Sequence, residues 1–188
     1  MEIEKKTSFV EHIEELRKRL LSCIIVVGIC FLLTYIFSKD IFKLLMLPLL
    51  DVLPKSNQFL HFTGLIEPFY TYMKVAFFSG LFVSSPYILY QIWAFVSPGL
   101  YSKEKKYLFP FVFLSTIFFT VGALFGYFVI FPVGFKVLLD VSGDFLKPMI
   151  TASQYLSLAS TLLFGFGIIF EITLVVFLLS VTGILNEK

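Results

Sequence analysis

Four stretches of this sequence are each long and apolar enough to cross a lipid bilayer, and nothing else in it constrains the fold as strongly. They run over about residues 20–37, 69–95, 107–135 and 154–185, against the roughly 20 helical residues a hydrocarbon core requires. The second carries Lys74 near its start and Pro86 inside it, the third holds no charge, and the fourth is broken by one charge, Glu171. The chain is 58% hydrophobic and only 15% charged, where a soluble domain has about 25% charged residues. The pattern predicts an all-α, polytopic membrane helix bundle with four transmembrane helices, residues 1–188 forming a single membrane domain. A net charge of +2 is too small to imply nucleic-acid binding.

Basic residues set the expected orientation. Residues 1–19 carry Lys5, Lys6, Arg17, Lys18 and Arg19, and the loop 96–106 carries Lys103, Lys105 and Lys106. The loops on the opposite side, 38–68 and 136–153, hold Lys39, Lys43, Lys55, Lys136 and Lys147 more thinly. The positive-inside rule then places both termini in the cytoplasm. The charged first nineteen residues leave no room for a cleavable signal peptide or an organelle transit peptide, so a bacterial inner membrane is the expected location.

Ser8-Phe-Val-Glu11 has the form of a capping box, which predicts a helix starting there. Its apolar stripe is Phe9, Ile13, Leu16 and Leu20, and His12, Glu15 and Arg19 lie on the other face. Glu14–Lys18 and Glu15–Arg19 are favourable (i, i+4) pairs; the sharper reading leaves Glu15 at headgroup level, free to take a ligand cation. Ile41, Leu44 and Leu45 mark a short interfacial helix over 40–50, expected to end at Pro48 and Pro54. Thr151-Ala-Ser-Gln is an N-cap for the fourth span. Cys23 and Cys30, about 10 Å apart along a helix, are packing residues that cannot bridge each other.

Glu171 is the one ionisable residue well inside a span, and a carboxylate there is costly enough to be functional by default. Ser84, Ser85, Gln91, Ser115 and Thr116 are its candidate polar partners, and Tyr127 offers a hydroxyl toward the outer side. Gly122 and Gly126 form a GxxxG that reads as close helix packing. No HExxH, GxSxG or GxxxxGK motif occurs, which argues against an enzyme, and no cofactor or metal is implied.

The ordered motifs carry a family resemblance over essentially the whole chain. They are His12-Ile-Glu-Glu-Leu-Arg-Lys-Arg-Leu20, Pro48, Ser85-Pro-Tyr-Ile-Leu-Tyr-Gln-Ile-Trp-Ala-Phe-Val-Ser-Pro-Gly-Leu-Tyr101 with Lys103-Glu104, Gly126-Tyr-Phe-Val-Ile-Phe-Pro132, and Phe170-Glu171. The chain resembles TatC, the multispanning core subunit of the twin-arginine protein translocase. The resemblance implies a concave, glove-like bundle with an N-terminal cytoplasmic amphipathic helix, and a receptor for twin-arginine signal peptides of folded cargo. It implies that Glu15 and Glu104 contact the arginines and that Phe95 helps form the same site. It marks Arg17, Pro48, Tyr127 and Glu171 as functionally sensitive. The implied partners are cargo signal peptides, single-span TatA/TatB-type subunits, the lipid bilayer and further copies of the subunit in a complex, with the proton-motive force driving export. The family has six spans, and this chain carries four.

Two readings from other classes stand beside the receptor. One is a proton-coupled small-solute carrier using Glu171; the other is a scaffold that assembles other helices without peptide affinity.

Overall fold

The computed structural model describes residues 2–53, 60–96, 108–141 and 149–181. Helix α1 spans Glu2–Ile36, α2 Ser38–Val52, α3 Glu67–Val96, α4 Leu108–Phe125, α5 Phe131–Val141 and α6 Ala152–Val181. A π turn over Gly126–Ile130 joins α4 to α5 in one continuous rod. Among the described residues, four helical stretches are long and apolar enough to cross a membrane: Glu11–Ile36, Glu67–Phe95, Phe109–Val141 and Ala152–Phe177.

Helix α1 corrects the expected start. Ser8 and Glu11 lie inside a helix that is already formed from Glu2, so the capping-box pattern marks no terminus. At 1.5 Å per residue this single rod extends about 52 Å, well past a bilayer core of about 30 Å. The amphipathic N-terminus and the first span are therefore one element.

Helix α2 corrects a stop. It runs straight through Pro48 and ends at Leu53, whose extended ψ of 143° is what a residue preceding a proline adopts. Phe42, Pro48 and Leu49 are buried while Leu44 and Leu47 stay exposed, so α2 is packed into the bundle along one side. The helix that holds the third apolar run continues past residue 135 to Val141, with a π turn just before Pro132. There the Phe131 N–H reaches back to the Gly126 carbonyl.

Helix α6 begins with its cap in place, the Thr151 hydroxyl accepting the Gln154 N–H at 3.3 Å. The segments leading into α3 and α6 are tied together: the His61 N–H donates to Ile150 O and the Ala152 N–H to His61 O, each at 3.0 Å. Glu67 accepts from the Thr63 N–H at 2.5 Å and the Ser153 N–H at 3.4 Å.

Two seams set helix placement. Along α1–α3, a Cβ at Gly80 would lie 2.8 Å from Phe31 N, and the Thr34 hydroxyl donates to Ala76 O at 2.8 Å. Along α4–α6, a Cβ at Gly122 would lie 2.6 Å from Phe166 O, whereas Gly126 has only ordinary contacts. The GxxxG is thus a packing device centred on its first glycine. Cys23 and Cys30 are free thiols on α1.

Candidate functional site

The end of the bundle where α3 finishes carries a polar constellation between α1 and α3. Three- and four-residue spacing on α1 turns His12, Glu15, Arg19 and Ser22 toward the last turns of α3. Arg19 Nε and Nη2 both donate to Glu15 Oε1, at 2.9 and 2.6 Å. Its third nitrogen, Nη1, donates to Gln91 Oε1 at 2.8 Å. Gln91 Nε2 donates to the Tyr87 hydroxyl at 2.7 Å, and that hydroxyl is hydrogen-bonded to Ser22 Oγ. One turn nearer the N-terminus, the His12 ring stacks on Phe95 with centroids 4.3 Å apart and planes 19° apart.

Helix α1 turns Glu15 and Arg19 inward, while Glu11, Glu14, Arg17 and Lys18 stay exposed. Ile13, Leu16 and Leu20, the expected apolar stripe, are 49%, 43% and 58% exposed. In water the exposure of these three side chains would be unfavourable; beside lipid it is expected, since hydrocarbon takes apolar side chains. Glu15 is paired with Arg19, as the (i, i+4) spacing predicts, one turn along α1 from the His12–Phe95 stack. Arg17 is exposed and makes no ion pair among the described residues, and Lys18 pairs with Glu14 at 2.9 Å on the surface. Glu104, with Lys103, Lys105 and Lys106, lies outside the described residues.

A second constellation lies where α3, α4 and α6 meet. The fully buried Ser115 accepts a hydrogen bond from Trp93 Nε1 at 3.0 Å. Glu171 hydrogen-bonds to both Ser115 and Trp93, and its Oε2 is buried without a partner among the described residues. Of the expected partners, Ser115 fills the role. Ser84 and Thr116 bond to carbonyls of their own helices, and Gln91 is committed to Arg19 and Tyr87. Trp93 is a partner that the residue pattern did not reveal, because an indole at a span end reads first as an interfacial anchor.

The opposite end of the bundle joins two residues that the sequence marked separately. Pro48 has no N–H, so the carbonyl of Leu44, four residues back, loses its helical donor. The Tyr127 hydroxyl donates to that carbonyl at 2.5 Å. Tyr155, which the sequence pattern did not single out, donates to the neighbouring Leu45 carbonyl. Tyr127→Phe is expected to destabilise the protein by about 1 kcal/mol by orphaning the Leu44 carbonyl. In a Pro48→Ala background the alanine N–H takes over that carbonyl and the penalty should shrink. Thermal unfolding of the four proteins of this cycle checks it, and additive effects would refute the coupling.

Among the described residues no cluster of three or more His, Cys, Asp or Glu could hold a metal ion. Residues 11–188 match the model of the family described as "Sec-independent protein translocase protein (TatC)". The chain belongs to the TatC family. It is 42% identical over 185 residues to the TatC of Desulforapulum autotrophicum, covering 98% of this chain and 68% of that protein. It is 37% identical over 188 residues to the TatC of Escherichia coli K12, covering all of this chain and 72% of that one. A crystal structure of a twin-arginine translocase receptor, TatC, superposes with a TM-score of 0.81 at 35% identity, covering 89% of this chain and 74% of that chain. TatC membership makes this a multi-pass component of a Sec-independent protein translocase in the bacterial inner membrane, in a transport family and not an enzyme family.

Proposed function

We propose that this TatC-family chain is the receptor and core subunit of its translocase, binding twin-arginine signal peptides through Glu15, Phe95 and Glu104. The observation that carries the reading is the Arg19 guanidinium seated on Glu15 beside the His12–Phe95 stack. A carboxylate that accepts two donors of a guanidinium, one turn from an aromatic stack, supports a seat for arginine. Guanidinium, planar and with donors in a fork, suits such a seat better than the point charge of an ammonium. The similar crystal structure is that of a twin-arginine translocase receptor, which supports the same reading.

In this reading both termini and the α1–α3 site face the cytoplasm, where the basic residues of segments 1–19 and 96–106 favour them. Arg17 balances the acidic site at its rim. Glu171 marks the junction of α3, α4 and α6 as the place where a single-span TatA/TatB-type subunit docks. Pro48 and Tyr127 set the outer end of the bundle around which copies of the subunit and its partners assemble. Export is driven by the proton-motive force, and the subunit does no covalent chemistry.

The test is binding of an Arg-Arg signal peptide, and of its Lys-Lys twin, to the 188-residue chain in nanodiscs. The Arg-Arg peptide should bind more tightly, and Glu15→Gln or Glu104→Gln should weaken it about tenfold and narrow its lead, as loss of one charge-assisted pair predicts. Unchanged affinity in both variants would sink the assignment.

A further inference from the structure

We infer that Arg19 is an internal occupant of the signal-peptide site: it holds the Glu15 carboxylate in the peptide-free protein, and a peptide arginine binds by displacing it. The inference rests on the receptor reading above and adds to it the state in which the site waits.

Arg19 is not a loosely paired surface arginine. Three of its nitrogens are engaged, two on Glu15 Oε1 and one on Gln91 Oε1 of the neighbouring helix. Gln91 is in turn oriented by Tyr87, and Tyr87 by Ser22 of α1. The guanidinium is thus held from two helices, with 25% of its side chain exposed against 38% for Glu15. Its neighbours on α1 are placed otherwise. Lys18 is committed to Glu14, and Arg17 lies on the exposed side of α1.

Such a site does not attract cations indiscriminately, because the charge of Glu15 is already compensated. A peptide bringing one basic residue exchanges one ion pair for another and gains little. In the receptor reading, a peptide bringing two arginines makes the same exchange at Glu15 and adds a second pair at Glu104. Self-occupancy therefore acts as a threshold that single cations do not pass. The apparent affinity of every peptide that uses Glu15 is lowered by the same factor, the fraction of molecules in which the carboxylate is open. Selectivity between Arg-Arg and Lys-Lys remains a property of the carboxylate geometry.

Arg19→Gln removes the occupant. Its affinity for the Arg-Arg peptide and for a single-arginine variant of that peptide should rise by a common factor of about five, the scale of a partly exposed ion pair with one extra anchor. Gln91→Leu loosens the anchor and leaves Arg19 in place, so both affinities should rise by about twofold. Helicity and elution of each variant in nanodiscs confirm folding, and Gln91→Leu carries the test if Arg19→Gln does not fold. Should both affinities fall, Arg19 positions the carboxylate and does not guard it, and the inference is overturned; unchanged affinities overturn it equally. Those outcomes leave the receptor reading standing so long as the wild type prefers Arg-Arg over Lys-Lys. A wild type without that preference removes the receptor reading and the threshold together.

Discussion

Gly80→Val is expected to destabilise the protein by about 3 kcal/mol, at the upper end of what overpacking a close contact costs. The reason is what the new side chain meets. A Cβ at Gly80 lies 2.8 Å from the amide nitrogen of Phe31, 2.9 Å from its Cα and 3.1 Å from the carbonyl carbon of Cys30. All three atoms are backbone of α1, so no rotamer change relieves the clash and α1 must move away from α3. The seam cannot open at one point alone. The Thr34 hydroxyl bridges to the Ala76 carbonyl close by, and farther along the same two helices Arg19 reaches Gln91. A shift of α1 thus strains the Thr34–Ala76 and Arg19–Gln91 bonds along with the backbone contact, and stability falls. Gly28 is the control, since it lies on the same α1 helix and a Cβ added there meets nothing within 4 Å. Gly28→Val should leave the unfolding temperature in nanodiscs close to wild type. Equal effects of the two substitutions would show that helix propensity, and not the α1–α3 approach, governs the response.

The parts of this structure that could be read from the sequence are those in which one segment decides its own state. Long apolar runs must be helical in lipid because the backbone has no other donors and acceptors there. The pair Glu15–Arg19 could be read because (i, i+4) neighbours share a helix face. The Thr151 cap could be read because its acceptor and donor are three residues apart. What could not be read depends on residues distant in the chain. Pro48 looks like a stop until Tyr127 supplies the donor for the Leu44 carbonyl. Arg19 looks anchored on Glu15 alone until Gln91 of α3 takes its third nitrogen. The direction in which α1 faces follows from what surrounds it, and the stripe of Ile13, Leu16 and Leu20 reads alike whether lipid or protein covers it. The family resemblance singled out Pro48 and Tyr127 as separate positions; their shared carbonyl gives one physical reason for both.

Ser115→Ala is the second substitution with a large expected effect, about 2 kcal/mol of lost stability, slightly above the range of single interhelical hydrogen bonds in membranes. One hydroxyl serves two partners here. It accepts the Trp93 indole N–H at 3.0 Å and it bonds to Glu171, whose other oxygen already lacks a partner among the described residues. Ser115 is fully buried, so water does not step in when the hydroxyl is removed. Thr120→Ala isolates this effect, because the Thr120 hydroxyl bonds back to the Thr116 carbonyl of its own helix at 2.7 Å, a carbonyl that the helix itself also serves. That variant should lose a few tenths of a kcal/mol. Trp93 is the single tryptophan of the chain, so its fluorescence reports the site without labelling. Ser115→Ala should shift its emission while Thr120→Ala leaves it in place. If the two variants unfold alike and the emission does not move, the hydroxyl does not join α3, α4 and α6, and the setting proposed for Glu171 toward a partner helix loses its foundation.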